Sequence, residues 1–126
     1  MNGEAVLDHE TCLVWEQSPD TTVRTWTSAL THCFQSEVGG RGGWRLPTIE
    51  ELASLKDTVN TNPALPSGHP FDTNAVQSFY WSSTTDAGFT AQAWDVHFFN
   101  GSVGSDNKTI NWHVWCVRGG QGHDAY

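Results

Sequence analysis

The stretch AWDVHFFNGSVGSDNKTINWHVWCVRGG, residues 93–120, decides the fold because it carries two alternating patterns on either side of an Asn-Gly turn. In its first half, Trp94 and Val96 share one phase with polar residues between them, and the segment after the turn ends in a similar alternation. A two-residue period predicts strands with one face in the core and the other in water. The phase expected to face water nevertheless contains Phe99 and Trp115. Whether these two aromatic side chains are exposed for binding or covered by another part of the chain is therefore the main question about function.

Upstream of this stretch, the sequence predicts a hairpin and two helices. AVLDHETCLVWEQ places two apolar runs around a polar turn, which indicates an opening hairpin with Trp15 pointing inward. TWTSALTHCFQS has helical spacing, with Phe34 among its apolar positions, and VGGRGG would end that helix. In WRLPTIEELASL, Thr48 as N-cap and Glu51 three residues later form a capping box before a second helix.

The rest of the chain predicts a long loop followed only by strands. Residues 57–78 are rich in Pro, Asn, Ser, Thr and Gly and indicate a long ordered loop. YWSSTT predicts a strand, AWDVHFF forms a hairpin with the segment after the Asn-Gly turn, and NWHVWCVR predicts the last strand. Fold class is therefore α+β.

The length of the chain limits the number of domains, and its net charge limits the classes of binding partner. The chain has 126 residues, 37% of them hydrophobic, and we expect one domain with a single core over residues 1–126. Fourteen acidic and six basic residues give a net charge of −8, which argues against nucleic acid and anionic membrane surfaces. No apolar run could span a bilayer, and the first ten residues do not resemble a signal peptide, so we expect the end of a longer exported protein.

Four motifs, WRLPTIEEL, YWSST, AWxVxF and VWCVRGG, occur in an order that resembles the Lcl C-terminal domain family, the C-terminal domain of bacterial collagen-like adhesins. The resemblance covers about residues 13–120, and TCLVWEQ is similar to the family's TGLVWE, with Cys12 in place of glycine. It implies a C-type lectin-like fold: two helices flanking small antiparallel sheets, a long ordered loop and chain ends close together. Collagen-like relatives also imply that the parent protein can form oligomers.

The resemblance extends to variable proteins of diversity-generating retroelements, in which mutagenesis at adenines rewrites a C-terminal ligand-binding face. Trp94, Val96, Gly101, Val103, Val114, Cys116 and Arg118 match the constant frame of the family. The variable face implied by the resemblance consists of Asp86, Phe89, Asp95, His97, Phe99, Asn100, Ser105, Asp106, Ile110, Asn111, His113 and Trp115. Exposed aromatic side chains would then supply rigid contact area and small polar groups adaptable hydrogen bonds. The alternative is that the long loop covers Phe99 and Trp115.

Three cysteines leave one thiol unpaired. Cys33 and Cys116 stand where the resemblance implies the family's disulfide, and a disulfide favours an oxidising location. Cys12 would then remain free as a small side chain in place of glycine. A Cys12–Cys116 pairing is the second alternative, because first and last strands run close together in such folds.

Metal and catalytic sites lack a signature. HETC at 9–12 and HVWC at 113–116 both read His-x-x-Cys, but residues three apart on a strand point to opposite faces, so we expect no zinc site. Asp57 and Asp72 leave calcium open, without the sugar-binding Glu-Pro-Asn or Trp-Asn-Asp signatures. The lectin-like formylglycine-generating enzymes act through a cysteine pair that nothing here matches, and no catalytic triad, phosphate loop or acid–base pair is present.

The sequence therefore predicts a domain that is not an enzyme, needs no cofactor and binds a protein or glycan on a cell surface. Two settings compete: a diversified receptor-binding module on a phage or virus tip or cell surface, and a fixed glycan-binding adhesin of a bacterial surface protein. A chain without a basic patch argues against sulfated glycans, which require Lys or Arg. Both settings place the domain outside the cell or on a virion.

Overall fold

The computed structural model confirms the α+β class, with two small antiparallel sheets and two α-helices among the residues that it describes. Those residues are 5–8, 11–17, 19, 22–40, 42–56, 64–65, 71 and 78–119. Along the chain the elements are β1 (Ala5–Leu7), β2 (Leu13–Glu16), α1 (Trp26–Gln35), a 3-10 turn (Val38–Gly40), α2 (Ile49–Ala53), β3 (Phe79–Thr85), β4 (Gln92–His97), β5 (Ser102–Asn107) and β6 (Val117–Gly119).

The first sheet joins the beginning of the chain to its last strand. Its strand order is β1-β2-β6, and both pairings are antiparallel. The predicted opening hairpin is confirmed, and Trp15 is fully buried. At its turn the Cys12 amide donates to the Asp8 carbonyl at 2.8 Å, while Cys12 has a φ of 62° in the left-handed region. Glycine tolerates that region without strain, so the glycine that the resemblance implies at this position would suit the turn.

Both predicted helices are confirmed, with one error of orientation. In α1 the buried side chains are Ala29 and Cys33, but Phe34 is 82% exposed, so its predicted place on the apolar face is wrong. In α2 the Thr48 side chain accepts from the Glu51 amide at 3.2 Å and the Glu51 carboxylate accepts from the Thr48 amide at 2.9 Å. This capping box satisfies two amides that a helix leaves open, and α2 then buries Leu52.

The second sheet has the strand order β3-β4-β5. Its strands β4 and β5 come from the first part of the alternating stretch at residues 93–120. The predicted hairpin is confirmed: β4 and β5 pair from Gln92–Asn107 to His97–Ser102 around the turn at Gly101, whose φ is 79°. β3 pairs with β4 through Phe79–His97 and Trp81–Asp95, and a register shift follows Trp81.

NWHVWCVR was predicted to be one strand, and this prediction is wrong. The segment makes isolated bridges, Arg24–Trp112 and Tyr80–His113, and the strand proper begins only at Val117. It crosses from the second sheet to the first, so its amides bond first to one sheet and then to the other. Trp81 donates its amide to the His113 carbonyl at 3.0 Å, whereas Val117 exchanges amide bonds with Arg45.

Alternate residues of this fold enter two different hydrophobic clusters, so the single core expected from chain length is divided. Leu13 and Trp15 belong to one cluster, while Val14 between them belongs to the other. Trp115 likewise packs in the first cluster, whereas Cys116 packs in the second. A strand covered on both sides still alternates, but between two cores instead of core and water.

The disulfide implied by the resemblance is present and links α1 to the crossing segment. Cys33 and Cys116 are bonded across a sequence separation of 83, and both side chains are fully buried in the second cluster. Cys12 is a free, exposed cysteine, which rules out the alternative Cys12–Cys116 pairing in this structure. Most of the predicted loop 57–78 lies outside the described residues, as do Asp57, Asp72 and the histidine of HETC.

Candidate ligand-binding face

Four rings form a stacked series on one face of the second sheet, which we call the aromatic row: Trp112, Phe79, His97 and Phe99. Phe79 stands opposite His97 in the β3–β4 register, with ring centroids 4.0 Å apart and planes 7° apart. Phe79 also stacks on Trp112 at 4.3 Å, and His97 on Phe99 at 6.0 Å. Stacked rings restrict one another's rotation, so the row offers a large contact area that is already ordered.

The row is the part of this sheet face that α1 leaves open. Farther along the face, Trp81 packs in the second cluster with Ala29 of α1, and its indole N–H donates to the Arg24 carbonyl at 2.9 Å. Phe79, His97 and Trp112, in contrast, are only half-buried, and Phe99 is 48% exposed. A partly exposed aromatic series beside a rigid helix has the character of a contact surface.

The predicted variable residues fall into three groups by exposure. Phe89, Phe99, Asn100, Ile110 and Asn111 are exposed, as predicted. Half-buried are Asp86, His97, Ser105, Asp106 and His113. Asp95 and Trp115 are fully buried, so the prediction that these two side chains face outward is wrong. Whether any of the twelve binds a ligand stays a prediction.

Trp115 is buried because β2, β3 and the segment containing Phe71 enclose it, and the Tyr80 ring of β3 lies 5.6 Å away. Its ring makes edge contacts with Trp15 of β2 at 5.8 Å and with Phe71 at 4.9 Å, and its indole N–H donates to the Glu16 carbonyl at 2.8 Å. Phe71 belongs to the segment between α2 and β3, so the alternative of a covering loop is correct for Trp115. It is wrong for Phe99, which remains exposed.

Asp95 is buried because its strand phase faces the covered half of the sheet. Its register partners are Trp81 on β3 and Gly104 on β5, and a Cβ atom at Gly104 would lie 3.7 Å from the Asp95 Oδ1 atom. Burial, together with the hydrogen bond to and the charge of the Asp106 carboxyl, raises the pKa of Asp95 to about 8. At neutral pH this side chain is therefore mainly the neutral acid.

The half-buried residues do not share one face. Ser105 and Asp106 are consecutive on β5 and must point to opposite sides. The Ser105 hydroxyl lies 2.9 Å from Asp86 Oδ2 and 2.8 Å from Gln92 Oε1, away from the aromatic row. His113 shares its side with Tyr80, whose ring lies 5.3 Å away. Of the twelve, only His97 and the exposed Phe99 belong to the row, whereas Asp106 shares its side of the sheet but stands opposite Ala93, four residues along β4 from His97.

Phe89, Ile110 and Asn111 lie in two turns at the end of the sheet away from the Phe79–His97 pair, whereas Asn100 lies in the β4–β5 turn beside that pair. The turn at Phe89 follows β3, and Ile110 and Asn111 follow β5. The Lys108 amide donates to the Ala91 carbonyl at 2.9 Å and joins the two turns. Lys108 Nζ donates to Thr85 Oγ1 at 3.0 Å and lies 4.0 Å above the Trp26 ring, which fixes its charge beside the sheet.

Sequence reasoning missed two members of the row, Phe79 and Trp112. Phe79 directly precedes the YWSST motif, and Trp112 lies in the NWHVWCVR segment predicted as the last strand; neither is among the predicted face residues. The register of the sheet was the signal that could have identified Phe79. Once the YWSST strand is paired antiparallel to the first strand of the Asn-Gly hairpin, Phe79 stands opposite His97.

A second concave surface lies beside α1. It has a volume of about 620 Å³ and is lined mainly by Leu30, Phe34, Trp44 and Leu46. The Arg45 guanidinium at its edge forms a bidentate pair with Glu51, at 2.6 and 2.8 Å, and donates to the Gly119 carbonyl. The recess therefore offers apolar walls and a cation that is already paired.

Among the described residues, no group of three His, Cys, Asp or Glu side chains is arranged to hold a metal ion. No described helix is long and apolar enough to cross a membrane. The sequence profile of the Lcl C-terminal domain matches residues 4–118. No curated protein matches the chain.

Proposed function

Because the chain belongs to the Lcl C-terminal domain family, which suggests a binding-type domain, we propose that it is a non-catalytic ligand-binding domain with a C-type lectin-like fold. The lectin-like assignment is supported by two helices, two small antiparallel sheets, and a first sheet that unites the N-terminal hairpin with the last strand. The proposed binding surface consists of the aromatic row and the β4–β5 turn, which carries the exposed Asn100 beside it.

The observation that carries this proposal is the stacked, half-open aromatic row. Burying such rings would stabilise a domain, so a row that stays partly open, with Phe99 48% exposed, favours a contact role. Aromatic anchors with small polar neighbours are the composition of adaptable binding surfaces. The proposed ligand is a protein or a glycan on a cell surface. The domain itself would lie outside the cell or on a virion, because a disulfide such as Cys33–Cys116 persists in an oxidising environment.

The more specific proposal is that the domain is the variable protein of a diversity-generating retroelement. Five of the seven residues in the constant frame of the resemblance are buried, among them Val96, Val114 and Cys116, while Trp94 is half-buried and Val103 is exposed. Five predicted variable positions are exposed. The alternative is a fixed adhesin that binds glycans. A reverse-transcriptase gene beside a near-copy of the coding stretch for residues 93–120 favours the first, and its absence favours the second.

A matched pair of phenylalanine substitutions tests the binding surface. Phe99→Ala removes a ring from the aromatic row, and Phe34→Ala removes a more exposed ring from α1 on another surface. We expect Phe99→Ala and His97→Ala to lower binding to glycan arrays and intact bacterial cells at least about tenfold, as for central anchors. Phe34→Ala should bind like the wild type. Equal losses for Phe99→Ala and Phe34→Ala would contradict the assignment of the face.

A further inference from the structure

Two carboxyl groups meet on the covered part of the sheet face that carries the aromatic row. Asp95 of β4 is fully buried, and neither of its oxygens accepts a hydrogen bond from an N–H or hydroxyl donor of the described residues. Asp106 of β5 lies on the same side, diagonally across the β4–β5 register, within hydrogen-bonding reach of Asp95. A buried carboxylate without a donor is costly, so the pair requires an explanation.

A shared proton provides that explanation. Two ionised carboxylates have only acceptor atoms, so they repel each other and cannot hydrogen-bond. A single proton on Asp95 turns that side chain into a donor to Asp106, removes the buried charge and satisfies both groups. Burial and the charge of Asp106 act in the same direction, since both favour the neutral form of Asp95.

Within the described part of the chain, none of the elements around Asp95 places a cation against its carboxyl. Opposite it stand the neutral residues Trp81 on β3 and Gly104 on β5. Lys108 directs its Nζ to Thr85 and the Trp26 ring, and its charge is not among the causes that set the pKa of Asp95.

Two further titratable or cationic groups lie along this face. The Arg24 backbone carbonyl accepts a hydrogen bond from the Trp81 indole N–H. The charge of Arg24 is not among the causes that raise the pKa of Asp95. His97, two residues along β4, stacks on Phe79 in the row. The proton between the two carboxyls is thus the feature that makes this arrangement favourable.

We propose that Asp95 and Asp106 share one proton at neutral pH, and that this proton holds β4 to β5 under the aromatic row so that alkaline pH loosens the row. Its effect on ligand affinity rests on the proposed function, whereas its effect on the fold does not. The proton-bound form stabilises the fold fully below the ordinary Asp pKa of 3.8, and that contribution is lost as pH rises through about 8.

Carboxyl carbon NMR of the whole domain tests the pair directly. We expect the Asp95 carboxyl to titrate above pH 7, with the ring signals of Phe79 and His97 shifting at the same midpoint. Asp106→Asn removes the neighbouring charge and should lower that midpoint by about one pH unit or more. The control Asp86→Asn changes a carboxylate bonded to Ser105 on the other side of the sheet and should leave the midpoint in place.

Thermal melting between pH 5 and pH 9 provides the second readout. The wild-type melting temperature should fall with rising pH more steeply than that of Asp95→Asn, whose amide donates to Asp106 without needing a proton. An Asp95 carboxyl that titrates below pH 5, or parallel melting curves for wild type and Asp95→Asn, would overturn the proposal. If Asp95→Asn does not fold, the NMR titrations of wild type and Asp106→Asn decide alone. Neither readout uses a ligand, so failure here is distinct from failure of the proposed function.

Discussion

At the residue scale, Cys12 stands in a backbone conformation that suits glycine. With a φ of 62° it holds the β1–β2 turn through its own amide, and its side chain is exposed. We expect Cys12→Gly to raise the free energy of unfolding by about 0.5–1 kcal/mol, because it relieves the left-handed strain at a cost only in unfolded-state entropy. Urea denaturation under one redox condition measures this. Cys12→Ser removes the thiol but retains the Cβ atom, and a gain equal to that of glycine would contradict the strain argument.

Trp115 and Phe99 belong to the same predicted phase but differ in their surroundings. Trp115→Ala should lower the free energy of unfolding by about 3–5 kcal/mol, because it empties a site enclosed by three elements. Phe99→Ala should change it by less than about 0.5 kcal/mol, because Phe99 is largely in water. Chemical denaturation of both variants checks the pair. Comparable losses would mean that Phe99 is also part of the core.

The same comparison shows the limit of sequence reasoning for single residues. Alternation correctly separated Val96 from His97 and placed Phe99 outside. It failed for Asp95 and Trp115, because polarity indicates the residue's own preference and not whether another element covers the second face. Covering depends on α1 and on the segment containing Phe71, which are distant in sequence.

At the element scale, the disulfide fastens α1 to the crossing segment. It closes a loop with a sequence separation of 83, and the chain-entropy model gives a stabilisation of about 4–5 kcal/mol for such a loop. We expect the variant with both Cys33→Ala and Cys116→Ala to lose about that amount, measured by urea denaturation. Cys12→Ala is the control with all other bonds intact. Peptide mapping that finds Cys33 and Cys116 as free thiols in purified protein would contradict the bond itself.

The α2 cap responds to acid. Burial alone would raise the pKa of Glu51, but hydrogen bonds from Arg45 and from the Thr48 backbone, with the Arg45 charge, lower it below its usual 4.5. A lowered pKa stabilises the fold above pH 4.5, and that contribution disappears as pH falls below it. Glu51→Gln should therefore be less stable than wild type at pH 7, by about 1 kcal/mol, and this difference should shrink as the pH falls below 4.5. A difference that persists unchanged at pH 3 would contradict this account.

Elements with a local signal were predicted well. The capping box at Thr48, the Asn-Gly turn and the polar turn after β1 each act within a few residues, so the sequence alone indicates them. The last strand lacks such a signal. Its amides bond to two different sheets, and nothing in NWHVWCVR marks the position where the partner changes.

At the scale of the whole molecule, burial narrows where a diversified gene can vary. We expect natural variants to differ chiefly at Phe89, Phe99, Asn100, Ile110 and Asn111, the exposed positions of the predicted face. Trp115 should stay fixed, and Asp95 should change only to Asn, which satisfies Asp106 without a proton. Deep sequencing of one population tests this. Substitutions spread evenly over α1 and the buried positions would contradict diversification and leave the fixed adhesin as the better reading.

The Cys33–Cys116 disulfide determines which parts of the chain carry the load when the domain is stretched from its two ends. Every ring of the aromatic row lies between Cys33 and Cys116, so tension passing along the backbone crosses the disulfide and bypasses the binding surface. Unravelling can release the segments outside the two cysteines, but about 280 Å of extended chain stays locked within the loop. A domain stretched between its two chain ends therefore lengthens only outside the two cysteines and draws no chain out of the loop that carries the aromatic row.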